Sequence, residues 1–74
     1  MSRLPRLTAK EIISVLVGTG FVLSRQSGSH KIYINPEGKR VTVPFHGKRI
    51  IHPKILRNIM KDAEVSVSEL KKFL

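Results

Sequence analysis

Cysteine is absent from this 74-residue chain, so neither a disulfide nor a thiolate metal site can stabilise a domain whose size limits its core. Packing, or a partner, must hold it together. No apolar run approaches the roughly 20 residues that span a bilayer. The start, Met1-Ser2-Arg3-Leu4-Pro5, lacks the hydrophobic region of a signal peptide, and the chain is therefore expected in the cytoplasm. There is no glycine-rich phosphate loop, no G-x-S-x-G elbow and no paired-carboxylate arrangement, which removes nucleotide hydrolysis, serine-hydrolase and glycosidase chemistry. Acidic residues are scarce as well. Five Asp and Glu stand against 14 Lys and Arg, a formal net charge of +9 with a pI of about 10.8, and this favours a polyanionic partner such as nucleic acid over an anionic membrane.

What is present reads as one α+β domain over residues 1–74. Thr8 followed by Glu11 is a capping-box pattern, with Leu7 and Ile12 placed as its hydrophobic staple. Ala9, Ile12, Ile13 and Leu16 continue at helical spacing until Gly18 and Gly20, which predicts a helix over about residues 8–18. The period then changes to alternation. Phe21–Arg25, Lys31–Asn35 and Arg40–Phe45 are expected as strands, with Pro36-Glu37-Gly38 turning between the last two. Ile32 with Ile34, and Val41 with Val43 and Phe45, supply the faces expected under the helices, which leaves Lys31, Tyr33 and Thr42 opposite. Pro53 opens a helix over about residues 53–62, striped by Ile55, Leu56, Ile59 and Met60. Ser66 with Glu69, flanked by Val65 and Leu70, repeats the box and staple before a short last helix. The expected architecture is α-β-β-β-α-α around a three-stranded antiparallel sheet.

The segment Gln26-Ser27-Gly28-Ser29-His30 carries the chemistry. It delivers an imidazole from a Gly-Ser turn to the head of a strand, between Arg25 and Lys31. An imidazole, with an ordinary pKa of about 6.5, both takes up and releases protons near neutrality, which suits a general base. A lone histidine more often caps a strand end, and strict alternation would turn His30 to the side of Ile32, toward the core edge. Gly28 is able to break that parity. Charge favours the functional reading: residues 21–52 hold Arg25, Lys31, Lys39, Arg40, Lys48 and Arg49 against Glu37 alone, five of the nine net positive charges, together with all three histidines. Such a stretch predicts a phosphate-tracking face with His30, and His46 as a second candidate, at its edge. No metal is expected. His30 and His46 lie 16 positions apart and His46 and His52 lie 6 apart, spacings that match none of the zinc patterns.

Taken in order, Leu4-Pro5 before a capped helix, Gly20-Phe21, Gly28-Ser29-His30, and Val41-Thr42-Val43-Pro44 with His46-Gly47 resemble the HicA toxin family over nearly the whole chain. The resemblance implies a fold similar to a double-stranded-RNA-binding domain and an mRNA interferase activity in which the histidine of the Gly-Ser-His motif, here His30, is catalytic. It also implies a protein partner, the HicB antitoxin, that blocks the active surface. His52 is a departure from the family pattern, and a helix-start role suits it better than catalysis.

Without a metal or other cofactor, RNA cleavage can use the substrate's own 2′-hydroxyl as nucleophile, given a base and cations for the developing charge. His30 is the expected base. Arg25 and Lys31 are the nearest cations in sequence, Lys48 and Arg49 further ones, and Gly28 and Ser29 offer backbone N–H groups to phosphate. The alternative is a non-catalytic module that reads duplex RNA by shape and phosphates. A DNA-binding reading rests on charge and on Lys54, Arg57, Asn58 and Lys61 of the second helix, which equally form a solvated face.

Overall fold

The computed structural model describes residues 4–74; Met1, Ser2 and Arg3, part of the start read above for a leader, lie outside the described residues. The elements run α1 (Ala9–Gly18), β1 (Val22–Ser27), β2 (His30–Ile34), β3 (Arg40–Pro44), α2 (Pro53–Ala63) and α3 (Val67–Lys72), with the strands ordered β1-β2-β3 in one antiparallel sheet. This is the expected α+β order.

Local chemistry fixes the helix starts. Thr8 caps α1 and Ser66 caps α3, each in a complete capping box with Glu11 or Glu69, which satisfies two of the N–H groups that every helix start leaves bare. Helix α2 ends on Glu64 in the left-handed region, φ 57°, and the same carboxylate reaches Lys39 of the β2–β3 turn at 3.0 Å. That hydrogen bond, with Glu37 nearby, holds the Lys39 ammonium above the ordinary lysine range. The turn itself is built on Asn35, whose side-chain oxygen accepts from the N–H groups of Glu37 and Lys39.

The core forms on one face of the sheet only. Residues opposite one another in an antiparallel ladder share a face, so Leu23, Tyr33 and Val41 form one row and Gln26, Lys31 and Val43 the next. Val41 and Val43 are fully buried, and together with Tyr33 they join Ile12, Val15 and Leu16 of α1, Leu56 and Ile59 of α2, and Leu70 of α3 in one hydrophobic cluster. Burial also pushes the Tyr33 phenol above its usual pKa range.

This reverses the expected parity of β2. Tyr33 faces the helices, whereas Ile32 and Ile34 lie on the open face in rows with Arg25 and Thr42, and with Val22 and Arg40. Ile32 is buried yet stands outside the core cluster. The amphipathic Tyr33 ring supplies more apolar area than an isoleucine, and burial of area decides which face turns inward.

Tyr33→Ala is therefore expected to cost about 3–5 kcal/mol in urea unfolding, a large part of the stability of a domain this size, roughly 0.05–0.15 kcal/mol per residue. Ile34→Thr should stay within about 0.5 kcal/mol. The reverse order would place Ile32 and Ile34 under the helices.

Candidate active site

The β1–β2 hairpin is closed by the two residues Gly28 and Ser29, since Ser27 pairs directly with His30. Gly28 has φ +57° while Ser29 lies on the ordinary side, the sign pattern of a type II′ turn, which needs glycine first and matches the twist of the flanking strands. Parity is therefore unbroken at the turn. His30 does share a face with Ile32, but that face is the open one, so the imidazole is exposed and not aimed at the core edge. Its ring makes no hydrogen bond with the described residues, which leaves both nitrogens free.

Arg25 reaches the same face by a different device. Leu23 pairs with Tyr33 and Arg25 with Ile32, so Ser24 is an extra residue, a β-bulge. Without it Arg25 would sit opposite Lys31, on the helix side. The bulge re-aims its side chain. Arg25 becomes a diagonal cross-strand neighbour of His30, a relation that places the two residues roughly 7–8 Å apart with their Cβ atoms somewhat closer.

A depression of about 200 Å³ opens beside this pair, lined by Ser24, Arg25, Ile32, Ile34 and Arg40. Arg40 lines this hollow, a position that the sequence alone showed only as part of the bulk charge. The signal for it was its position opposite Ile34, which becomes readable once the parity of β2 is known. A second groove, of about 300 Å³, begins at Pro44, the residue paired with His30 on β3, and is lined further by His46, Arg49, Ile50, Ile51, His52 and Ile55. Next to Pro44, Ser29 of the turn accepts a hydrogen bond from the Phe45 N–H at 2.6 Å. No carboxylate lines either hollow.

Other expected site residues are dispersed. Lys31 points to the helix side, with its ammonium 4.1 Å from the centre of the Phe45 ring, a cation–π contact that turns it away from His30. Lys39 is engaged by Glu64 and Glu37. Lys48 and Arg49 lie on the exposed turn after His46, and only Arg49 lines a groove. Gly28 and Ser29 are exposed beside His30. His52 caps α2, its Nδ1 accepting from the Lys54 N–H at 3.1 Å. Among the described residues no three His, Asp or Glu side chains converge as a metal site, and no helix is long and apolar enough to cross a membrane.

Residues 9–65 match the model of a family described as the HicA toxin of bacterial toxin–antitoxin systems. Comparison with curated proteins gives no match. The match spans well over half of the chain, and the protein belongs to the HicA toxin family. It is the toxin of a toxin–antitoxin system, in which an antitoxin is the counterpart.

The cap at His52 gives a direct check on its role. His52→Ala should lower stability by about 0.5–2 kcal/mol, whereas His52→Asn, which keeps an acceptor at that position, should melt close to the parent. Equal losses in both would mean that the ring is not capping the helix.

Proposed function

We propose that this toxin is a metal-independent endoribonuclease, an mRNA interferase, with His30 as general base. The observation that carries the reading is the placement of an exposed, unbonded imidazole on the helix-free face of the sheet, diagonal to Arg25, with Arg40 further along the same face and no carboxylate lining the adjoining hollows. His30 takes the proton of a substrate 2′-hydroxyl, and the 2′-oxygen attacks the adjacent phosphorus. The bond to the 5′-oxygen then breaks, and that oxygen leaves with a proton from water or from a side chain such as His46. The Arg25 guanidinium stabilises the charge that develops on the phosphoryl oxygens, Arg40 holds a phosphate further along the same face, and Gly28 and Ser29 offer backbone N–H groups to phosphate. A HicB-like antitoxin covers this face in the inactive pair, and the encounter with mRNA takes place in the cytoplasm.

The purified protein should cut RNA in EDTA, and His30→Ala should lose about 10²–10⁴ of that rate, the range of one general base. A single 2′-deoxy nucleotide at the scissile position should stop the cut there, and the fragments should end in a 2′,3′-cyclic phosphate by mass spectrometry. A 5′-phosphate product would remove His30 from the proposed role, and equal cutting by both proteins would do the same. The alternative, a non-catalytic binder of duplex RNA, is the outcome in which RNA is held by both and cut by neither.

Affinity gives a separate test of the cations. Binding of RNA by His30→Ala should persist and weaken steeply with salt, because released counterions drive phosphate contacts. Arg25→Ala and Arg40→Ala should each reduce the log–log salt slope by about 1. Lys31→Ala should leave the slope as it is. A slope that responds to Lys31 and not to Arg40 would assign the phosphate path to the helix side.

A further inference from the structure

We infer that the groove between the end of β3 and the start of α2 is a nucleotide subsite, which takes one unpaired base of the RNA strand next to the phosphate held at His30. This deepens the ribonuclease reading and rests on it for the position of that phosphate.

The groove has the composition of a base pocket. Its volume of about 300 Å³ lies at the lower end of small-ligand sites, which span about 300–1,000 Å³. Ile50 and Ile55 line it and remain 52% and 40% exposed. Val17, Val22, Leu23, Ile34, Phe73 and Leu74 are exposed as well, but among the exposed apolar side chains of the described residues only Ile50 and Ile55 line this groove together with Arg49 and two histidines. An apolar surface with a charged and polar rim fits a planar base joined to a phosphate, and Arg49 supplies the cation and His46 a ring nitrogen there.

Two features make the site preformed. Ile50 pairs with Thr8 in an isolated antiparallel bridge, and the Ile51 N–H donates to Leu7 at 2.7 Å, so the wall is fastened to the start of α1. His52 is held by its cap. Because its Nδ1 accepts from Lys54, the neutral ring carries its proton on Nε2, which makes that nitrogen a donor for an acceptor atom on a base edge. The groove also joins the cleavage face, since Pro44 lines it and pairs with His30.

A single-stranded RNA hexanucleotide titrated into the His30→Ala protein and followed by methyl and imidazole NMR tests this. The Ile50 and Ile55 methyls and the His46 and His52 ring signals should shift together with those of Ile32 on the open face. Arg49→Ala and His52→Asn, the latter preserving the cap, should each weaken binding about tenfold. The same strand locked in a duplex should leave the Ile50 and Ile55 methyls unmoved. Shifts at Ile32 alone, or equal groove shifts with the duplex, would overturn the subsite while leaving the ribonuclease reading intact. Failure of the wild-type protein to cut RNA in EDTA, with the groove signals still moving, would instead overturn cleavage and keep the subsite. No shift anywhere would overturn both.

Discussion

The fold depends on the burial of Val41 and Val43 of β3 against α1 and α2, with Tyr33 beside them. Apolar burial of this kind is the main driving force available to a chain without disulfides, and here it is spent on one face of a three-stranded sheet. The other face is left open. Every candidate for RNA chemistry on the sheet, His30, Arg25 and Arg40, belongs to that open face because Tyr33 and Val41 occupy the covered one. The proposed catalytic surface is therefore a consequence of where the core forms, not a separate construction.

Two small irregularities then adjust what the open face presents. The Gly28-Ser29 turn fixes the pairing of Ser27 with His30, and so the direction of the imidazole. The bulge at Ser24 turns Arg25 over to join it. The bulge has a second effect, since β1 is an edge strand with no buried residue. A flat exposed edge invites pairing with other chains, and a bulge with a charged side chain beside it blunts such an edge.

Much of this was legible in the sequence, and the failures have a physical pattern. Helix starts were readable because Thr8 with Glu11, and Ser66 with Glu69, are local devices whose partners lie three residues apart. The Pro36-Glu37-Gly38 turn and the Gly-Ser turn were readable for the same reason. The inward face of β2 was not, because Ile32 and Tyr33 are adjacent apolar residues and alternation alone does not say which of them a helix will cover. The same ambiguity left the direction of His30 open and hid Arg40, which lies opposite Ile34, whereas Lys31 stands next to His30 in sequence but on the other face. The bulge at Ser24 has no residue signature at all, since it shows only in the register of the strand that opposes it.

The distribution of charge makes the same point about three-dimensional context. Residues 21–52 read as a continuous basic stretch, yet folding divides its cations into three groups. Lys39 is engaged by Glu64 and Glu37, and Lys31 rests on the Phe45 ring. Arg25 and Arg40 flank the hollow beside His30, while Lys48 and Arg49 project from the loop beyond β3. Carboxylates are disposed in the opposite sense. Glu11 and Glu69 are used in capping boxes and Glu37 and Glu64 on Lys39, so four of the five acidic side chains are committed away from the open face. A polyanion approaching that face meets arginines without competing carboxylates. With few acidic groups to spare, the chain uses four of its five acidic side chains as helix caps and tethers of Lys39, and none lines the hollows on or beside the open face.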